Sequence, residues 1–181
     1  MPQSSGGGAT LAQQEYLQLA FSRLPGVPVS TSATFVANQA YLQPWEPITG
    51  SQSIIGVLTR VLTQSGNYDI GIYSTTDDAT FTRVASKGST AVPAAASVGL
   101  NFTSAITLTA GVRYFMGFAT DDATMVLASF TANINPSVAA AGYKKATSFP
   151  LPATLSTVTA LGVSEAQPML IGKLTNGIAI Y

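Results

Sequence analysis

The chain has 181 residues, room for one domain of roughly 100–200 residues and a modest extension. Asp, Glu, Lys and Arg make up 9% of it, against about 25% in an ordinary soluble protein, and eight acids balance eight bases to a net charge of zero. With no basic run beyond Lys144-Lys145, no histidine, no cysteine and no apolar run near the roughly 18 residues a membrane helix needs, several classes fall away. These are nucleic-acid binding, polybasic membrane attachment, helical membrane insertion, Ser-His-Asp or Cys-His catalysis, disulfide stapling, and zinc sites built on Cys and His.

The hydrophobic fraction is 46% and the mean hydropathy +0.32. A chain this small must cover much of its exterior with polar groups, and here they have to be Ser, Thr, Asn and Gln. Burial of the remaining apolar surface against other chains is the expectation, with a monomer wearing a Ser- and Thr-rich skin as the alternative.

Residues 1–32 read as an arm. Met1 to Gly8 is a polar, glycine-rich stretch with no basic region followed by an apolar one, so it does not read as a secretion signal. Thr10 is a candidate helix cap, and Leu17, Phe21 and Leu24 follow at the helical period with Tyr16 beside them. Pro25-Gly26 stops the helix and Pro28 prevents its restart. A helix of about 14 residues is marginal alone in water, so its apolar face (Tyr16, Leu17, Phe21, Leu24) needs a partner. Either its own domain or a neighbouring subunit supplies it; in the second case the arm is an anchor.

From Ala33 onward (residues 33–181 as a domain) the pattern is β. Apolar and β-branched runs alternate with Gly, Pro, Asn, Asp and Ser clusters. Strands are predicted at Thr34–Ala37, Ala40–Gln43, Ser53–Thr63, Tyr68–Tyr73, Phe81–Ala85, Gly99–Leu108, Val112–Ala119, Met125–Thr131, Met169–Leu174 and Ile178–Tyr181. Ser65-Gly66-Asn67 and Thr109-Ala110-Gly111 read as turns, and Asn176-Gly177 as a hairpin. Within Tyr68–Tyr73, Tyr68, Ile70 and Ile72 share one face, and Gly71 sits mid-strand on the other, as Gly117 does in its strand; glycine there signals a bulge or the close approach of another backbone. Eight to ten short strands at this spacing imply an antiparallel two-sheet sandwich, jelly-roll-like, preceded by the arm.

Thr76-Asp77-Asp78-Ala79-Thr80 recurs as Thr120-Asp121-Asp122-Ala123-Thr124. Two Asp-Asp hairpin turns are the simplest account, since Asp side chains bond their own backbone in turns. A calcium site is the alternative; it requires the fold to bring both pairs together, because calcium takes six to eight oxygens. Ala132 to Pro168 breaks the β pattern. It reads as a contact loop carrying Tyr143, Lys144, Lys145 and Phe149, or as a segment hiding a strand or two. The remaining catalytic option is a carboxylate pair of the glycosidase kind drawn from Glu46, Asp69, Asp77, Asp78, Asp121 and Asp122. All but Glu46 and Asp69 fall in expected exposed turns, where nothing raises a pKa. The expectation is a non-enzyme with no cofactor and no metal.

Three stretches carry a resemblance. Gly66-Asn67-Tyr68-Asp69-Ile70-Gly71-Ile72-Tyr73, then Val84-Ala85-Ser86-Lys87-Gly88-Ser89-Thr90, then Ile106-Thr107-Leu108-Thr109-Ala110-Gly111-Val112-Arg113-Tyr114-Phe115 resemble the virion-surface β-sandwich domains of tailed bacteriophages, tail-fibre-like or decoration-like. The likeness covers residues 33–131 best. It implies a jelly-roll-like fold, assembly as trimers, and a place on the virion after synthesis in the host cytoplasm. Its partners would be baseplate, tail or capsid proteins, with host-surface glycans as a further possibility, and it brings no catalytic residues. A short appendage of the tail-fibre or baseplate type is the first functional expectation, a capsid decoration or cement protein the second, and a carbohydrate-binding module or depolymerase the third.

Overall fold

The computed structural model describes residues 31–45, 51–131, 142–162, 164–175 and 179–180. The predicted N-terminal helix, with Tyr16, Leu17, Phe21 and Leu24, lies outside them, as does Glu46. The described residues contain no helix and form fifteen strands in two antiparallel sheets. These are β1 Thr31–Thr34, β2 Gln39–Trp45, β3 Gln52–Thr63, β4 Asn67–Thr75, β5 Thr80–Ser86, β6 Thr90–Ala91, β7 Ala96–Leu108, β8 Arg113–Thr120, β9 Val126–Thr131, β10 Tyr143–Ala146, β11 Thr154–Ser156, β12 Thr159–Ala160, β13 Ala166–Pro168, β14 Ile171–Leu174 and β15 Ala179–Ile180. The first sheet runs β1-β9-β3-β14-β15, with β7 on β3 and β13 on β9; the second runs β11-β5-β4-β8-β2-β10-β12, with β6 on β4. The two-sheet, all-β expectation holds.

The main core fills the space between the sheets. Ile54, Val57 and Val61 of β3, Phe102 of β7 and Leu127 of β9 meet Tyr41, Tyr68, Ile70, Ile72, Met116 and Phe118 of the second sheet. Phe35 closes one end, edge-on to Tyr41 at 4.9 Å and to Phe118 at 5.4 Å between ring centroids, a favoured aromatic geometry. This role explains a displaced strand. The sequence places a strand at Thr34–Ala37, but Thr31 to Thr34 pair with Ser129 to Val126, after which Phe35 turns inward and Asn38 takes a positive φ of 57°. Asn is among the residues that tolerate that region.

β4 and β8 are buried on both faces, which two strands at the centre of a sandwich normally are not. The reverse face of their sheet carries a second cluster: Ala40, Leu42, Tyr73, Phe81, Phe115 and Ala119 packed with Leu151 and Leu155. Its cover comes from the stretch the sequence left open. Of residues 132–168, those described (142–162 and 164–168) contain four short strands, β10 to β13, and do not form a free loop. β10 extends the second sheet from β2, β11 adds to β5, and β13 joins β9 in the first sheet.

Several turns also connect differently from the sequence reading. Thr75–Thr80 is a hairpin between the paired strands β4 and β5. Its repeat, 120–125, is not: it carries the chain from β8 in the second sheet to β9 in the first. Ser65-Gly66-Asn67 and Thr109-Ala110-Gly111 likewise cross between sheets, with Gly66 at φ 60° and Gly111 at φ 82°. β14 and β15 pair antiparallel, as the Asn176-Gly177 signal requires, although those two residues lie outside the described ones.

Candidate functional site

The most elaborated polar arrangement lies on the reverse face of the second sheet, where residues 149–153 cross β4 and β5. Asp69 projects from β4 on this face, alternating with the inward Tyr68 and Ile70, and is fully buried. Its carboxylate accepts from the Ser86 hydroxyl at 2.9 and 2.8 Å, from the Gly88 N–H at 2.8 Å and from the Leu151 N–H at 3.1 Å. Burial pushes the Asp69 carboxyl up from the usual carboxylate range, against the pull of those donors and of the nearby Arg83 charge. Tyr73, two residues along the same face, donates its hydroxyl to the Pro152 carbonyl at 2.6 Å. Opposite Tyr73 on β5, Arg83 donates a guanidinium N–H to the Leu151 carbonyl and its backbone N–H to the Ala153 carbonyl at 2.8 Å. Three side chains therefore strap one segment to the sheet.

The strap needs a flat floor. Gly71 and Gly117 face each other across β4 and β8, and the Leu151 side chain lies above both. A Cβ on Gly71 would come 2.7 Å from the Ala85 carbonyl oxygen and 3.2 Å from Leu151 Cδ1; one on Gly117 would come 2.8 Å from the Tyr73 ring. The expected close approach of another backbone is present at Gly71, from the Ala85 carbonyl of β5, whereas Gly117 is crowded by side chains, chiefly the Tyr73 ring.

The predicted contact residues sit beside it. Tyr143 of β10 is half-buried, its ring 5.4 Å from that of Phe81 and 5.8 Å from that of Phe115. Phe149 is half-buried against the same cluster. Lys144 pairs with Glu165, whose carboxyl is held below its ordinary range by that ammonium and by the Gly162 N–H. Lys145 is bonded to the Thr157 carbonyl at 3.4 Å. Tyr143 and Phe149 lean on one hydrophobic cluster, while Lys144 points instead to the edge with Glu165.

The two acidic repeats are far apart. β4 pairs with β8 from Tyr68 opposite Thr120 to Thr75 opposite Arg113, which puts the turns at opposite ends of the strands, roughly 23 Å apart at about 3.3 Å per residue. A shared calcium site is ruled out by that separation, and no group of three or more metal-ligating side chains occurs among the described residues. Asp77 accepts the N–H groups of Thr80 and Ala79 at 2.8 and 2.9 Å, which hold its carboxyl low. Asp78 pairs with Arg113. At the far end, Asp121 takes two bonds from Asn67, at 2.7 Å from its N–H and 2.8 Å from its side chain. Asp122 accepts from the Ser65 hydroxyl at 2.6 Å and from Thr124, and is held low by both. The second repeat therefore locks one inter-sheet corner to another.

Two buried tyrosines differ in a testable way. The Tyr68 hydroxyl is buried with no hydrogen-bond partner among the described residues, and burial pushes it up to about 12, whereas Tyr73 has its bond to Pro152. Tyr73→Phe is expected to cost about 1 kcal/mol in urea unfolding, and Tyr68→Phe to cost nothing or to stabilise. Equal losses at both positions would contradict the assignment.

The sequence reading missed Arg83, Tyr73 and Leu151. One signal was available: Asp69 is a lone carboxylate inside an apolar strand, where a charge is rare unless it has partners. Compared with protein-family models, curated proteins and solved structures, the chain matches none of them.

Proposed function

We propose that this protein is a non-enzymatic structural component of a tailed-phage virion, a jelly-roll-like sandwich whose copies assemble into a short surface appendage of the tail-fibre or baseplate type. The observation that carries the reading is what the carboxylates do. Each of the six among the described residues is engaged in holding the fold: Asp69 under the strap, Asp77 and Asp78 at one end, Asp121 and Asp122 at the other, and Glu165 on Lys144. In a chain with no histidine and no cysteine, this leaves little for acid–base or nucleophilic work.

The stretches that carry the family resemblance support the same reading. Gly66–Tyr73 supplies most of β4, Val84–Thr90 runs from β5 into β6, and Ile106–Phe115 joins β7 to β8; β5, β6 and β8 all pair with β4. The resemblance adds trimeric assembly, baseplate, tail or capsid proteins as partners, glycans of the host surface as a possible contact, and the virion as location. A capsid decoration or cement role is the second reading. It is favoured by the lack of any shaft repeat or coiled-coil heptad in the sequence.

Mass spectrometry of purified particles, followed by gold labelling with an antibody to this chain, tests both. Label on the tail supports the appendage, label on the head the decoration role, and particles free of the chain end the virion reading. Binding of the isolated protein on a glycan array supports adhesion.

A further inference from the structure

We propose that the free edge of β7 is where two copies of this chain pair, strand to strand and antiparallel, about a two-fold axis. The inference deepens the assembly part of the reading above. It does not depend on the virion, and it is distinct from the three-fold contact that the resemblance implies.

β7 spans Ala96–Leu108, thirteen residues, and is the longest strand in the described structure. Among the described residues its one hydrogen-bonded neighbour is β3; no strand pairs with its other side. A sheet edge presents a row of unpaired N–H and C=O groups, and proteins usually protect it with charge, proline or brevity. The other terminal strands are brief: four residues in β1, three in β11, two each in β12 and β15. β7 is long and contains neither a charged residue nor a proline. Gly99, Asn101, Thr103, Ser104, Ala105 and Thr107 are exposed along it.

A bulge gives partial protection, but only over part of the strand. Between Gly56 opposite Asn101 and Ile54 opposite Ile106, one residue of β3 faces four of β7, from Phe102 to Ala105. The Phe102 side chain turns into the core there. From Ala96 to Asn101 the register against Val61 to Gly56 is unbroken. Six regular residues thus present one continuous edge, a typical strand length.

The occupant that fits is the same strand from a second copy. In a two-fold antiparallel pair each residue meets a counterpart from its own short sequence, and the interface is self-complementary. A charged strand would set like charges opposite one another, which destabilises a pair. β7 has none to oppose. The chain's net charge of zero removes the general repulsion between copies as well.

The full chain contains no cysteine, so a single introduced thiol can form a disulfide only with its own copy. Ser97→Cys, Asn101→Cys and Thr103→Cys are to be oxidised one at a time, with Thr82→Cys on β5 as the control. Expected is a disulfide-linked dimer at one or two neighbouring β7 positions and none at the control. Sedimentation of the unmodified chain at micromolar concentration is expected to give twice 18.6 kDa or an even multiple. Asn101→Glu with Thr103→Glu is expected to weaken self-association at least tenfold with the circular dichroism unchanged; Glu at 101 keeps an acceptor for Lys173, which now bonds Asn101 at 3.0 Å. A monomer throughout overturns the proposal. So does an oligomer that the Glu pair leaves intact and the β7 cysteines fail to link. Dimers with this signature from a chain absent from phage particles would uphold the pairing and remove only the virion reading.

Discussion

Asp69→Ala is expected to lower stability by about 3 kcal/mol in denaturant unfolding, with Asp69→Asn recovering part of the loss. Alanine leaves the N–H groups of Gly88 and Leu151 without their acceptor beneath the strap, at about 1–3 kcal/mol for each unsatisfied buried group. Ser86 is only partly buried and can turn its hydroxyl to water. Asparagine keeps one carbonyl oxygen for one of the two donors. The pH dependence follows from the direction of the shift. Burial raises the Asp69 carboxyl above its free value of about 3.9, so the folded chain holds that proton to higher pH than the unfolded chain. The stability contributed by this titration is fully present below the unfolded value and is lost as pH rises through the folded one. The advantage of the parent over Asp69→Asn is therefore expected to be largest near about pH 3.5 and to narrow toward neutrality. Asp77, Asp122 and Glu165 act in the opposite sense: their carboxyls are lowered, so their contributions are present above about pH 4 and fade as acid protonates them in the folded chain. A deficit of Asp69→Asn that grows with pH would show that the donors, and not burial, dominate at this carboxyl.

Gly56→Ala is expected to cost at least about 3 kcal/mol, the upper part of the range for overpacking a well-packed interior. A Cβ on Gly56 overlaps the Leu100 carbonyl oxygen and comes 2.9 Å from the Asn101 Cα. Both are backbone atoms at the start of the β7 bulge, and neither can move without breaking the β3–β7 register. Gly99→Ala on the facing strand is the control. Its Cβ meets only the end of the Leu58 side chain, at 2.8 Å, which can change rotamer, so the expected cost is under about 1 kcal/mol. Thermal melts of the two variants, measured together, decide whether Gly56 is fixed by backbone approach or by strand propensity alone.

The difference between these two glycines also shows what a sequence can and cannot reveal. Tyr68, Ile70 and Ile72 marked the buried face of β4 by alternation, and the long strands β3, β7, β8 and β9 were legible as apolar and β-branched runs bounded by turn residues. The reverse face of β4, with Asp69, Gly71 and Tyr73, has the composition of a solvated surface. It is buried because Leu151 arrives from some eighty positions further along, and no local pattern encodes that. β10 to β13 run two to four residues each, too short for a period to declare itself, and their pairing is wholly non-local. The Asp repeat was expected to make two hairpin turns, and only the first copy does; the second joins the two sheets. Which turn closed a hairpin and which joined the sheets depended on strand pairing that two identical stretches of sequence cannot distinguish. Tyr143 and Phe149 were singled out as contact residues by their place in an irregular segment, and they sit half-buried against the second cluster, while Arg83 looked like one more exposed cation on a strand.

The strap also sets the order of events as the chain leaves the ribosome. β4, β5 and β8 are complete once residue 120 has emerged, yet Phe81 and Phe115 stay bare until Leu151 and Leu155 follow. For some thirty residues of synthesis, a nascent sheet shows a greasy back to solvent. Contacts between such distant positions form slowly, and exposed apolar sheet is what chaperones bind and what aggregates. Yield from expression should therefore respond to temperature and chaperone supply more steeply than the stability of the finished protein would suggest.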